Sequence, residues 1–174
     1  MPAGETVQYL QALGDFYRGD GRCDQAEPVL KRALAIREQA IGSDSDSDAE
    51  LDVAVCCDYL GQTYLAWNKP AQAELFYRRS LAIVEKIGGS DSPDLSPRLT
   101  GLAKALRAQK KYAEAESQYK RALEITEKGF GPDAPQGADI LDQYAVLLVD
   151  MHKMEDAKNM HDWADSLRRE NAEQ

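Results

Sequence analysis

The sequence predicts an all-α chain, four antiparallel helix pairs stacked as an α-solenoid, and three observations predict it. One set of residue offsets recurs four times along the 174 residues. Apolar residues within each recurrence step by three or four, the helical period. No run alternates apolar and polar residues for long enough to make a strand. With 43% hydrophobic and 29% charged residues the chain can bury a core, which argues against disorder.

The repeats align on a small residue. The first carries Leu13-Gly14, Tyr17, Ala26, Leu30 and Ala33-Leu34, and the second Leu60-Gly61, Tyr64, Ala73, Tyr77 and Ser80-Leu81. The third carries Leu102-Ala103, Leu106, Ala115, Tyr119 and Ala122-Leu123, and the fourth Tyr144-Ala145, Leu148, Ala157, His161 and Ala164. In each, a large residue lies at +3 from the small one, alanine at +12, a further residue, large in three of the four, at +16 and a small one at +19. The repeats are 47, 42 and 42 residues apart, giving units of about 6–42, 49–89, 94–129 and 136–170 in a single array over 1–174.

Each unit reads as two helices. In the second, Val53, Cys57, Leu60 and Tyr64 form one apolar stripe, and Ala73, Leu75, Tyr77, Leu81 and Val84 the other. Gly21, Asn68, Lys110 and His152 share the position between the helices; Gly and Asn enter the left-handed region readily, so a helix C-cap is expected there. Pro70 suits the start of the next helix. Gly42–Asp48, Gly88–Pro97 and Gly129–Gly137 are rich in Gly, Pro, Ser and Asp and read as turns. Ser47-Asp48-Ala49-Glu50 fits a capping box ahead of Leu51. A close approach of the two helices within a pair is expected where Gly14 meets Ala26 and Gly61 meets Ala73. In the fourth unit His161 replaces Tyr or Leu, and Asp165 stands where the others have Leu34, Leu81 and Leu123. Such a polar last helix suits a terminal unit.

Composition and motifs exclude most chemistry. Thirty acidic against 21 basic residues give a net charge of −9, which disfavours binding to nucleic acid or an anionic membrane. No stretch is apolar enough to span a membrane, and the first residues carry no secretory signal. Three cysteines, two of them adjacent as Cys56 and Cys57, suggest reduced thiols and a cytoplasmic setting rather than a disulfide framework or a CxxC metal site. His152 and His161 lack the i, i+4 spacing of a helical zinc pair. Neither a nucleophile elbow nor a phosphate-binding glycine loop occurs. Asp44 to Asp48 opens like a calcium loop, but Ala49 and Val55 stand where Gly and Glu are needed, so a solvated acidic turn explains it better. No catalytic residue, metal or cofactor is expected, and the chain reads as a non-enzyme.

The offsets resemble the tetratricopeptide pattern, in the 42-residue form of the kinesin light chain and nephrocystin group. That group's signature is similar to Gly131-Pro132-Asp133-Ala134-Pro135, to Ala26-Glu27 through Leu30-Lys31-Arg32-Ala33-Leu34, and to Tyr112-Ala113-Glu114-Ala115-Glu116 through Tyr119-Lys120-Arg121-Ala122-Leu123. The resemblance runs from about Val7 to Leu167 and implies a right-handed superhelix whose first helices line a concave groove for a peptide or partner helix. It places the inward positions at −3, +1 and +4: Gln11, Asp15 and Arg18; Asp58, Gln62 and Leu65; Thr100, Lys104 and Arg107; Asp142, Val146 and Val149. The group's paired asparagines are absent, being Gln11-Ala12, Asp58-Tyr59, Thr100-Gly101 and Asp142-Gln143, and the clamp for chaperone tails has no match.

Charge by segment is −1 over 1–42, −4 over 43–88, +2 over 89–129 and −6 over 130–174. Lys104 and Arg107 are therefore expected to offer cations in a groove flanked by Asp58 and Asp142, selecting a mixed-charge peptide. The leading expectation is a non-enzymatic interaction scaffold. The alternatives are a self-associating module, hence a homo-oligomer, and an adaptor domain of a larger regulatory protein.

Overall fold

The computed structural model describes residues 3–41 and 47–172, and among them it holds eight α-helices and no strand. They are α1 (Ala3–Gly19), α2 (Cys23–Ala40), α3 (Ser47–Ala66), α4 (Pro70–Gly88), α5 (Leu95–Ala108), α6 (Tyr112–Phe130), α7 (Pro135–Asp150) and α8 (Met154–Ala172). The chain forms two compact units, Met1–Ile87 and Gly88–Gln174, each built of two helix pairs.

The turn inside every pair is the same. Gly21, Asn68, Lys110 and His152 take φ of 75°, 54°, 62° and 60°. In the first, the Gly21 amide donates to the Arg18 carbonyl and the Arg22 amide to Tyr17, and this doubled closure recurs at the other three. That is the Schellman arrangement, which satisfies carbonyls the helix end would otherwise leave open. Lys110 and His152 hold the left-handed conformation at a cost of about 1–2 kcal/mol each relative to Gly, so packing of the pair imposes the turn. α4 starts at Pro70, as its fixed φ favours.

Packing runs along the repeat positions. Val7, Leu10, Ala26, Leu30 and Ala33 are buried in the first pair, and Val53, Cys57, Leu60, Tyr64, Ala73 and Tyr77 in the second. In the second unit Leu99, Leu102, Leu106, Tyr119 and Ala122 fill the third pair, while Ala138, Leu141, Ala164 and Leu167 form the core of the fourth. Buried hydroxyls bridge helices: Ser80 donates to the Ala54 carbonyl at 3.1 Å, and Ser96 lies 2.6 Å from Thr126.

Four local expectations are corrected. Leu75 is 68% exposed, because it sits two residues from both Ala73 and Tyr77 and so on the opposite side of α4. A Cβ on Gly14 would lie 2.5 Å from the Leu30 side chain and one on Gly61 2.9 Å from the Tyr77 ring, so the small residue also seats the +16 side chain. Leu95–Pro97 belong to α5, where Pro97 lies in the first turn and leaves no intrahelical acceptor unmet, and α6 and α7 shorten the third turn to Gly131–Ala134. Ser47 is the first residue of α3 rather than the cap before it, and the Glu50 carboxylate takes both bonds from Lys86 at 2.8 Å. The remainder of the acidic turn, 42–46, lies outside the described residues.

The candidate groove

Several inward positions of the first unit already have side-chain partners. Asp15 accepts from Arg18 at 2.5 Å, and Gln11 donates from Nε2 to Cys56 Sγ at 3.5 Å. Gln62 is exposed, while Asp58 and Leu65 are half-buried. The Tyr77 hydroxyl faces Asp58 and Arg18, and burial foremost, aided by Asp58, pushes its pKa up.

In the second unit the same helix face is open. An open cavity of about 590 Å³ is lined by Thr100 and Lys104 of α5 and by Asp139, Ile140, Asp142 and Gln143 of α7. Its floor and rim come from Ser96, Thr126 and Phe130, the last of these 55% exposed at the end of α6. Its two α7 carboxylates are already neutralised. The Arg168 guanidinium of α8 reaches Asp142 at 2.5 Å and Asp139 at 3.1 Å, and His161 Nδ1 lies 2.9 Å from Asp142. Burial works to raise the Asp142 pKa, but hydrogen bonds from His161 and Arg168 prevail and hold it below its ordinary value.

Lys104 is the opposite case. It is half-buried in that cavity and makes no hydrogen bond or ion pair with any of the described residues. Burial lowers its pKa and the Arg107 charge pushes the same way, with Asp139 opposing. A partly desolvated cation without an ion pair costs free energy that an incoming carboxylate recovers.

Of the two cations expected together, only Lys104 lines the cavity. Arg107 lies on the next turn of α5 and its Nε is 3.5 Å from Asp150. Val146 and Val149 are 43% and 44% exposed and line a separate shallow hollow of about 440 Å³ with Met154, Lys158 and His161. The sequence reading missed Ser96, Thr126, Phe130, Ile140 and Gln143. Ser96 lies one turn ahead of Thr100 on the same face of α5, Ile140 and Gln143 lie off the inward register of α7, and Thr126 and Phe130 come from α6.

All three cysteines are buried and unpaired with one another, and burial pushes the Cys56 thiol up to about 11 and that of Cys57 up to about 12. Among the described residues, no cluster of His, Cys, Asp and Glu could hold a metal ion, and no helix is long and apolar enough to cross a membrane.

Helix pairs with this turn, these offsets and an inward face that varies between repeats define a class, the helical-repeat proteins. Residues 5–86 and 95–170 match the family model of the tetratricopeptide repeat, and the chain belongs to that family. Its fold is similar to that of BtubC (BKLC) from P. vanneervenii, at 23% identity and a TM-score of 0.82 over 97% of this chain. This chain corresponds to 64% of the length of that one. A Podosopora anserina protein of nearly identical TPR-like repeats, described as a kinesin light chain, gives 17% identity and a TM-score of 0.78 over 98% of this chain and 77% of its own. RapI in its apo form gives 13% and 0.77 over 96% and 44%. At these identities the likeness is one of fold. No curated protein matches in sequence. Tetratricopeptide repeats generally mediate protein–protein interaction, and proteins of the family are typically non-catalytic scaffolds.

Proposed function

We propose that the chain is a protein-interaction module that holds a segment of a partner protein in the α5–α7 groove, an acidic side chain of the partner against Lys104. The observation that carries this reading is Lys104 itself, half-buried, without an ion pair among the described residues, in a cavity of about 590 Å³. Phe130 and Ile140 offer apolar contact, and Thr100, Gln136 and Gln143 offer donors and acceptors for a peptide backbone. Asp94, exposed at the other end of the cavity and about 15 Å along α5, suits a basic residue of the same segment, which keeps the mixed-charge expectation. Within the second unit Arg107, Val146 and Val149 extend the reading as secondary contacts, and Gln11, Asp15, Arg18, Asp58, Gln62 and Leu65 are the corresponding positions of the first unit. The module acts in the cytoplasm, where its three buried thiols stay reduced.

The test uses short peptides that set one glutamate among apolar residues, with glutamine-for-glutamate controls, titrated by calorimetry. Lys104→Glu should weaken binding of the glutamate peptides at least about tenfold, or 1.4 kcal/mol, and leave the glutamine peptides unaffected. Arg32→Glu, exposed in the first unit and away from the groove, should change neither. Equal affinity of wild type and Lys104→Glu for the glutamate peptides would overturn the assignment.

A further inference from the structure

Among the described residues that line the α5–α7 cavity, Lys104 is the one cation, and Asp94, Asp139 and Asp142 are the three carboxylates. The acid is only partly offset from outside the cavity. Arg168 of α8 lies 3.1 Å from Asp139 and 2.5 Å from Asp142, one guanidinium shared by two carboxylates. His161 Nδ1 lies 2.9 Å from Asp142 and carries charge only when protonated. Asp165 stands behind both, 3.7 Å from Arg168 and 3.9 Å from His161, and draws them away from the cavity.

That balance decides which anion Lys104 can hold. A carboxylate brings one negative charge, which a single ammonium meets. A phosphoryl group brings about two at neutral pH, and its usual hosts are arginine clusters and free amides at helix N-termini. Neither is offered here. Arg107, one turn from Lys104, is 3.5 Å from Asp150 and does not line the cavity. At the start of α5 the Leu95 and Ser96 amides already donate to the Ser92 and Pro93 carbonyls, and Pro97 has no amide hydrogen. At the start of α7 Pro135 has none either, and the Gly137 amide donates to Ala134. The second phosphate charge would therefore fall against the α7 wall, where the Asp139 charge already acts on Lys104. A phosphate set beside carboxylates is repelled, and repulsion of this kind is how a site refuses a wrong ligand.

Building on the groove reading of Lys104, we infer that the cavity accepts a partner's carboxylate and refuses a phosphoryl group at the same place, with Asp139 setting the preference. Phosphorylation of a serine or threonine at that place in the partner's segment therefore blocks docking. Asp139 is exposed and makes no buried contact, so its role is electrostatic and separable from folding.

Calorimetric titration of the 174-residue chain tests this, with one apolar peptide that carries glutamate, serine or phosphoserine at the same place. The pH is set at about 7.5, above the second ionisation of the phosphate. The glutamate peptide should bind tightest, the serine peptide about tenfold more weakly, and the phosphoserine peptide about threefold more weakly again. Asp139→Asn should recover about that threefold for phosphoserine. Asp139→Lys, which adds a second cation, should bring the phosphoserine peptide to at least the affinity of the glutamate peptide. Unchanged circular dichroism would show that both variants keep the fold. A phosphoserine peptide that binds wild type as tightly as the glutamate peptide overturns the preference and leaves the groove reading standing. So does a weak phosphoserine peptide that neither variant improves, since size and not charge would then exclude it. A glutamate peptide no tighter than the serine peptide removes the groove reading itself, and the preference with it.

Discussion

Met1–Ile87 and Gly88–Gln174 share one repeat plan and differ in two respects. Their pivots differ first: Gly14 and Gly61 seat Leu30 and Tyr77 in the first unit, whereas Ala103 and Ala145 stand at that place in the second. Their inward faces differ next. Asp15 and Arg18 neutralise each other and Gln11 is bound to Cys56, while Lys104 is left without a partner among the described residues beside a cavity. One junction is common to both. The Tyr64 hydroxyl donates to Glu27 at 2.7 Å in the first unit and Tyr144 to Glu116 at 2.9 Å in the second, each carboxylate also held by a lysine one turn on. Positions that join one pair to the next are constrained by packing in both units. Inward positions are not, and there the two units diverge.

The pivot difference gives the largest expected effect. Gly61→Val places a branched side chain where even a Cβ meets the Tyr77 ring at 2.9 Å, and should cost about 1–3 kcal/mol by overpacking. Ala103→Gly in the second unit loses only helix propensity and a methyl contact, about 1 kcal/mol. Urea unfolding of the full chain measures both. A midpoint that moves more for Ala103→Gly than for Gly61→Val would break the contrast between a tight and a relaxed pivot.

How much of this was legible in the sequence follows from the same division. The repeat register, the four left-handed positions and the burial of Val53, Cys57, Leu60 and Tyr64 are local or periodic properties, and single residues such as Asn68 and Pro70 announce them. The seat of Tyr77 against Gly61 was not legible, because offsets along a chain say which residues share a helix face, not which pair across two helices. Of the groove, Thr100, Lys104 and Asp142 were legible as inward positions, whereas Phe130 and Ser96 were not. A terminal aromatic beside Gly129 and Gly131 reads as a turn residue, and only the start of α7 gives it a cavity to line. The pairing of Arg107 with Asp150 and of Asp142 with Arg168 depends on side-chain reach across helices. Periodicity carries no information about that reach.

Aromatic hydroxyls sharpen the comparison at a smaller scale. Tyr64 and Tyr144 give their hydroxyls to carboxylates, but that of Tyr119 is buried with no hydrogen bond among the described residues. Burial pushes its pKa up to about 12. Tyr119→Phe keeps the ring stacked on Tyr144, at 5.8 Å between centroids, and removes the unmet group. It should stabilise the chain by about 1 kcal/mol, whereas Tyr64→Phe should destabilise it by a similar amount. Thermal unfolding of the two variants decides this, and a loss of stability in Tyr119→Phe would mean that the hydroxyl has a partner.

The smallest effect separates the units by pH. At the +16 position the first unit has Leu30 and Tyr77, neither of which changes charge near neutrality, and the fourth pair has His161. The hydrogen bond to Asp142 foremost, then the Asp165 charge, raises the His161 pKa above its ordinary 6.5. A folded-state pKa above the unfolded one means the native state binds the proton more tightly. Its stabilising contribution is therefore complete below about 6.5 and is lost as the pH rises through the folded value. His161 is exposed, so solvent and salt screen the effect. Comparing unfolding temperatures of wild type and His161→Gln from pH 5.5 to 8.5 should show a gap that is widest at the acidic end and narrows upward. Tyr77→Phe, in the first unit, should give a gap independent of pH over that range. A His161→Gln gap that stays constant with pH would show that this side chain acts through shape, as Leu30 does, and not through its charge.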